Sequence, residues 1–256
     1  MNPDVLERHA RLDSPLHRVD ARAKIAAFLA LTVISVSTPP AAFLAFAGYG
    51  SILAVASVAS RLPWIYLLRR SLVILPFVAM VGVSLPFFDG PHASGGYTLG
   101  VGGPRIPYSG LLVFWNVAVK SVIGVLSVAL LTGTTPLADL LHGAERMGLP
   151  RAFTMTVGFA YRYVFVLADE ALRMKHARDA RGYGGRWLWR AGVVGQIIGT
   201  LFLRTWARAE RIHLAMLARG FEGRLPARTS APMCAKDYGF VAAMACLAVA
   251  VRWGLA

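Results

Sequence analysis

The chain alternates between long apolar runs and shorter stretches that are rich in arginine and lysine. The apolar runs cover residues 25–38, 41–59, 64–88, 111–132 and 237–255. One helix over the first two runs would be about 50 Å long, which exceeds a hydrocarbon core of roughly 30 Å, and Pro39-Pro40 between them would interrupt it. The pattern therefore predicts five membrane-spanning helices, the first one short, with a kink in the third at Pro76.

Two polar segments frame these runs. Residues 89–109 are rich in glycine and proline, and "YTLGVGGPRIPYS" within them predicts a small hairpin on the outer face. Residues 1–24 hold acidic as well as basic side chains. They therefore do not match the short basic start of a signal peptide.

The distribution of charge indicates an orientation in the membrane. The chain is 56% hydrophobic with a mean hydropathy of +0.55, which argues against nucleic-acid binding as the reason for a net charge of +14. With the N-terminus inside, the outer loops hold only Arg105 and Arg252, and Lys120 lies within a span. All other lysines and arginines then fall inside, which predicts a multi-pass cell-membrane protein with a cytoplasmic N-terminus. We interpret Lys120 as facing the protein interior or reaching towards the interface, rather than as a functional charge.

A long insertion, residues 133–236, separates the first four spans (1–132) from the last one (237–256). It opens with "TTPLADLLHGAERMGLP", in which Thr134 or Thr135 is expected to cap a short amphipathic helix with Pro136 at its first position. Two long helices follow at about 151–181 and 191–219. Each is apolar at its start and basic near its end. The predicted fold class is an all-α membrane protein of about five transmembrane helices plus a cytoplasmic domain of long coupling helices.

Both long helices end in one signature, Ala-x-x-Ala-Arg-Gly-aromatic-x-Gly, as "ARDARGYGG" from Ala177 and "AMLARGFEG" from Ala215. Small alanines let another backbone approach, and glycines end each helix. Arg181 and Arg219 interact favourably with the helix dipoles and offer planar donors to a partner's carboxylates or carbonyls. Two copies suit a partner with two equivalent grooves, such as a dimer. The alternative is that each arginine only caps its own helix.

These features resemble the transmembrane T components of energy-coupling factor transporters, the EcfT/CbiQ family, over nearly the whole chain. The most specific match is the paired Ala-Arg-Gly signature at 180–182 and 218–220. The N-terminal "HARLDSPLHRVDARAK" looks like the cobalt branch, CbiQ, although that branch usually has proline where this chain has Ala21. The resemblance implies a coupling subunit of an importer, most like a cobalt importer. Nickel importers and importers of vitamins such as biotin are the alternatives.

The resemblance also implies partners and roles for particular residues. Two ABC-type ATPase subunits would receive the helix ends, and a small substrate-binding membrane subunit would be gripped by the chain and moved by ATP-driven changes. The residues expected to dock on the ATPases are Ala180, Arg181, Gly182, Ala218, Arg219 and Gly220. The residues expected to support them are Ala177, Arg178, Arg211 and Ala215.

Sequence motifs of catalysis are lacking. There is no phosphate-binding loop, no H-E-x-x-H and no G-x-S-x-G, and the histidines are scattered, so we expect no catalytic residue, no cofactor and no bound metal. A membrane-embedded lipid or isoprenoid transferase would need a carboxylate cluster, yet Asp169-Glu170 is the only adjacent acidic pair and is expected to bond Arg173. A channel-like permease would need several polar spans, and only Asn116 and Lys120 stand out.

Overall fold

The computed structural model describes residues 14–84, 96–98, 105–182, 187–222 and 233–255. These residues form one antiparallel hairpin, β1 (Gly96–Thr98) with β2 (Arg105–Pro107), which confirms the predicted hairpin. All other regular structure in the described ranges is helical, which confirms the all-α membrane class. The helices are α1 (Ala21–Val36), α2 (Phe43–Ser60), α3 (Trp64–Leu72), α4 (Leu75–Ser84), α5 (Tyr108–Thr134), α6 (Leu137–Arg146), α7 (Arg151–Ala180), α8 (Trp187–Ala218) and α9 (Ala235–Leu255).

Four helical stretches in the described residues are long and apolar enough to cross a membrane. They are Phe43–Ser60, Trp64–Gly82, Leu112–Thr134 and Ala235–Gly254, and they correspond to the second to fifth predicted crossings. Helix α1 coincides with the first predicted crossing, but its 16 residues are only about 24 Å long. The first crossing therefore stays a prediction, and the structure supports four spans.

The third predicted crossing is interrupted next to Pro76. Helix α3 ends at Leu72 and α4 begins at Leu75, so the break lies one turn before the proline. A proline has no N–H group, and its ring clashes with the carbonyl four residues earlier, here that of Leu72. The chain instead makes a turn in which the Ile74 N–H donates to the Ser71 carbonyl at 3.2 Å. The kink predicted at Pro76 is confirmed.

The chain divides into two compact units, with boundaries after residues 147 and 231. The larger unit holds α1–α6 and α9, and the smaller one holds α7 and α8. Helix α6 belongs to the larger unit because it packs on α1. At their contact, a Cβ built on Gly143 would lie only 3.3 Å from Ala21 Cβ and 3.4 Å from Ile25 Cδ1. The packing thus places the first boundary after residue 147, whereas the sequence predicted it after residue 132.

Helix α1 lies at the centre of the larger unit and packs against α5, α6 and α9. Its buried side chains include Ala27, Phe28 and Leu31. From α2, the fully buried Tyr49 places its hydroxyl 3.0 Å from Thr38 Oγ1, just beyond the end of α1. Thr38 Oγ1 also donates to the Ile34 carbonyl at 2.9 Å, so the bond mainly gives the Tyr49 hydroxyl a partner, without which its burial would cost about 1–3 kcal/mol.

Lys24 joins the start of α1 to the end of α5. The side chain is 1% exposed, and its Nζ donates to the Thr134 carbonyl at 3.2 Å and to Thr135 Oγ1 at 3.0 Å. The expectation that Thr134 or Thr135 caps α6 is therefore wrong: the N-cap is Pro136, without a side-chain bond, because Thr135 Oγ1 accepts from Lys24 and Thr134 Oγ1 bonds within α5. Burial lowers the pKa of Lys24 to about 8, against the opposing effect of Asp139, Asp20 and Asp237.

Lys120 joins the middle of α5 to the C-terminal end of α1. It projects from α5, and its Nζ donates to the carbonyls of Val36 at 2.7 Å and Thr38 at 2.8 Å, where α1 ends. A cation at a helix C-terminus satisfies carbonyls that lack helical partners and interacts favourably with the helix dipole. These bonds hold the half-buried Lys120 against the neighbouring helix, which agrees with a packing role for this residue.

Candidate functional site

Helix α7 stops at the first Ala-Arg-Gly signature because of its glycine. Gly182 has φ +67°, and its N–H donates to the Asp179 carbonyl at 3.1 Å. A left-handed residue directly after a helix turns the backbone away from the helix axis, and glycine adopts it without a clash of Cβ. The three later positions of this signature, 183–185, lie outside the described residues.

Helix α8 ends in the same way at the second signature. Gly220 has φ +77° and donates its N–H to the Leu217 carbonyl at 2.9 Å, and the Phe221 N–H donates to the Met216 carbonyl at 3.0 Å. This pair of bonds is a Schellman motif, which satisfies carbonyls at a helix C-terminus. The glycine of each signature is therefore explained by the left-handed backbone that ends its helix. The last glycine of this copy, Gly223, lies outside the described residues.

The arginine of each signature remains exposed on the surface. Arg181 and Arg219 are both exposed, and in the described parts of the chain neither guanidinium makes a hydrogen bond or ion pair. Backbone N–H groups, not the arginines, satisfy the last carbonyls of the two helices. Each helix end thus presents a planar cation, with five N–H donors, to solvent or to a partner.

The four residues expected to support docking differ in whether their side chains bond to other residues of the chain. Arg178 donates to Asp179 Oδ1 from Nε at 3.0 Å and from Nη2 at 2.7 Å. This bonding holds the pKa of Asp179 below its usual value. Arg211 is exposed, as are the four alanines of the two signatures: Ala177, Ala180, Ala215 and Ala218. The helix ends therefore carry little bulk around Arg181 and Arg219.

A salt bridge joins α7 to α8 within the smaller unit. Glu170 accepts from Arg173, three residues on along α7, and also from Arg204 of α8. The hydrogen bonds from Arg173 and then from Arg204 hold the pKa of Glu170 below its usual value. The expected pairing of the Asp169-Glu170 acids with Arg173 is confirmed for Glu170. The bond to Arg204 was not predicted, because it spans 34 residues of sequence.

The two signatures lie far apart along this helix pair. Arg181 comes six residues before α8 begins, whereas Arg219 follows the last of its 32 residues. A helix of that length measures about 48 Å, so the two arginines are separated by on the order of 40 Å. A groove of about 400 Å³ brings Ala177, Arg178 and Arg181 together with Arg204. The structure does not bring Arg219 into that groove.

Helix α8 also carries an apolar face that the smaller unit leaves uncovered. Ile198, Phe202 and Trp206 follow one another at intervals of four residues, and they are 61%, 64% and 66% exposed. The ring centroids of Phe202 and Trp206 lie 6.4 Å apart. Contiguous exposed apolar surface of this kind marks contacts with other proteins or with lipid. The docking candidates thus comprise two basic helix ends and one apolar helix face.

Comparison with known proteins decides the family. Residues 13–230 match a family profile described as cobalt transport protein, CbiQ. The chain belongs to the CbiQ family. The matched residues include both Ala-Arg-Gly signatures and all helices from α1 to α8.

Individual relatives of this CbiQ-family chain support the same family assignment. It is 29% identical to the energy-coupling factor transporter transmembrane protein EcfT of Heliobacterium modesticaldum over 253 residues, 93% of this chain and 92% of that protein. It is 30% identical over 217 residues to the putative fused cobalt transport protein CbiMQ of Methanocorpusculum labreanum, 82% of this chain but only 35% of that protein. The cobalt transport protein CbiQ of Rhodobacter capsulatus is 36% identical over 103 residues, 40% of this chain and 42% of that protein. The chain is a multi-pass membrane protein of the energy-coupling factor type.

Proposed function

We propose that this CbiQ-family chain is the coupling subunit of an ATP-driven cobalt importer. It joins two ABC-type ATPase subunits to a small substrate-binding membrane subunit and passes the motion of the ATPases to that subunit. The N-terminus and the smaller unit lie on the cytoplasmic side, and lipids surround the spans. The chain supplies no catalytic group, since ATP is hydrolysed on the ATPase subunits.

The observation that carries the proposal is the pair of matching helix ends. At each end an alanine, an exposed arginine and a left-handed glycine follow one another, at 180–182 and 218–220. The arginines are on the order of 40 Å apart along helices of 30 and 32 residues, too far for one groove of ordinary size. Two like ends at this separation suit two like partners, such as the two ATPases of a dimeric motor.

The long helices provide a physical route for the motion. Backbone hydrogen bonds make each helix stiff along its axis, so a displacement of Arg181 or Arg219 moves the rest of its helix. The Glu170–Arg204 salt bridge links the two helices where they pass each other. The exposed face around Phe202 and Trp206 offers an apolar contact for the substrate-binding subunit. Motion at either tip thus reaches a surface suited to a membrane partner.

Charge reversal at the two helix ends tests the coupling role. We expect Arg181→Glu and Arg219→Glu each to reduce co-purification of the ATPases at least tenfold, because reversing a charge that is hydrogen-bonded in an interface costs roughly 2–5 kcal/mol. The double variant should lose transport while its amount in the membrane is unchanged. Lys175→Glu is the matched control, since Lys175 is exposed on α7 and the charge change is the same. Wild-type transport by the double variant would exclude the proposed docking.

Cobalt as the cargo is supported by the family description and by the cobalt transport proteins among the relatives. The complete transporter, expressed with the subunits that co-purify with this chain, should take up radioactive cobalt from a nanomolar solution. An excess of unlabelled cobalt should compete at lower concentration than nickel or biotin. Uptake of nickel or of a vitamin without uptake of cobalt would show that cobalt is not the cargo. The proposed coupling role would still hold.

A further inference from the structure

The larger unit contains a basic pocket. Its volume is about 590 Å³, and its polar lining is Ser14, Arg18, Arg61, Cys234, Lys236 and Asp237. Three cations and one carboxylate thus surround a single cavity. All six residues belong to the larger unit, whereas both Ala-Arg-Gly signatures belong to the smaller one, so the docking proposal above does not use this pocket.

The pocket lies at the ends of two membrane spans. Arg61 directly follows the span Phe43–Ser60, and Lys236 is the second residue of the span Ala235–Gly254. The ends of spans lie where the hydrocarbon core gives way to lipid headgroups. The basic pocket is therefore at the depth of the headgroup layer, at one face of the membrane.

The cations of the basic pocket have no acidic partner among the residues that the structure describes. In the parts of the chain that the structure describes, no carboxylate forms a salt bridge with Arg18, Arg61 or Lys236. Asp237 is only 8% exposed, and both of its oxygens are occupied: Oδ1 accepts from the Asp20 N–H at 3.1 Å and Oδ2 from the Cys234 N–H at 2.9 Å. This carboxylate therefore holds the wall of the pocket together and leaves an excess of positive charge inside.

Arg61 holds a backbone conformation that arginine rarely adopts. It follows α2 with φ +54° and ψ +25°, and it is the one non-glycine residue with positive φ in the described residues. Gly182 and Gly220 have positive φ directly after the α7 and α8 helix ends, where the left-handed region suits glycine. The left-handed backbone of Arg61 ends α2 at the rim of the pocket, where its side chain is part of the lining.

We propose that the basic pocket binds the phosphate of an anionic phospholipid headgroup, with Arg18, Arg61 and Lys236 as donors. Arginine presents paired N–H groups that match phosphate oxygens, and lysine adds a point charge. The acyl chains of such a lipid lie beside the apolar spans that end at the pocket. The depth in the membrane favours a lipid phosphate over a soluble one, and basic pockets between spans are known to hold lipid headgroups.

Native mass spectrometry of the purified full chain in detergent tests the site. Phosphatidylglycerol and phosphatidylcholine with identical acyl chains are added in turn, and phosphatidylglycerol should be retained more strongly. Arg18→Gln/Lys236→Gln should weaken phosphatidylglycerol binding roughly 25-fold, at about fivefold for each of the two charges. The matched control is Arg69→Gln/Arg70→Gln, two exposed cations of α3 that do not line the pocket. The control should change binding less than about twofold.

Arg61→Gly separates lipid binding from folding. Glycine fits the left-handed backbone, so the variant should unfold at the same temperature as the wild type or higher. Its affinity for phosphatidylglycerol should nevertheless fall about fivefold. Unchanged lipid binding in this variant would show that Arg61 has no part in the site.

Three further results would overturn the proposal. Equal losses in the pocket variant and in the Arg69/Arg70 control would indicate general attraction by surface charge. Equal retention of phosphatidylcholine would remove the role of the anionic headgroup. Displacement of phosphatidylglycerol by an equal concentration of glycerol 3-phosphate, which has no acyl chains, would show a site for soluble phosphate esters instead of lipid.

Discussion

The glycine after each long helix determines where the helix ends, and this can be tested at Gly220. Gly220→Ala places a Cβ on a backbone with φ +77°, which should destabilise the chain by about 1 kcal/mol. Gly195→Ala is the control: Gly195 lies inside α8 and its added Cβ meets nothing within 4 Å, so alanine should stabilise by about 0.5–1 kcal/mol. Thermal unfolding of both variants in one detergent measures the difference. A Gly220→Ala variant as stable as Gly195→Ala would contradict the left-handed cap.

The role of a single residue could be predicted from the sequence where that role depends on the residue's own backbone or near neighbours. An Ala-Arg-Gly at the end of a basic helical stretch is enough to place the helix end, because the glycine acts on its own backbone. The bond between Lys24 and Thr135 spans 111 residues of sequence, and nothing near either residue indicates it. For this reason the expected cap at Thr134 or Thr135 was wrong. A lysine next to an apolar run was the one available signal, and it fits many roles.

Helix α6 packs on α1 through a position without a side chain, and a larger residue there should separate them. Gly143→Leu forces bulk against Ala21 and Ile25, which a Cβ alone would already approach within 3.4 Å. Overpacking of this kind should destabilise the chain by about 1–3 kcal/mol. Ala138→Leu adds similar bulk on the exposed side of α6 and should change stability by less than about 0.5 kcal/mol. Equal unfolding temperatures for the two variants would exclude this packing.

At the scale of elements, the apolar runs and the prolines predicted most of the fold. The interruption beside Pro76 follows from the chemistry of one residue, and four predicted spans have matching helices. The extent of α1 and the helix against which α6 packs depend on tertiary contacts. The local sequence does not indicate these contacts. The boundary at 132 was drawn where the chain becomes polar, whereas the packing divides it after Met147.

At the scale of the molecule, the two units divide the work that we propose. The spans and the basic pocket belong to the larger unit, and both basic helix ends belong to the smaller one. Sequence reasoning identified the helix ends because they repeat. The pocket was not predicted, because Arg18, Arg61 and Lys236 lie in three separate segments of the sequence. Each segment by itself indicates only the basic flank of a membrane span.

The orientation of the whole molecule gives the last prediction. Cys234 and Cys246 are both exposed, so the test uses a background with serine at each position. In spheroplasts, a membrane-impermeant maleimide should label a Tyr97→Cys variant of the outer hairpin. It should label Lys175→Cys on α7 only after the membrane is disrupted, and that second labelling controls for the reactivity of the thiol. Labelling of Lys175→Cys in intact spheroplasts would place α7 outside. ATP is supplied in the cytoplasm, so a helix end on the outer face cannot receive the motion of the ATPases, and the proposed coupling would fail with the orientation.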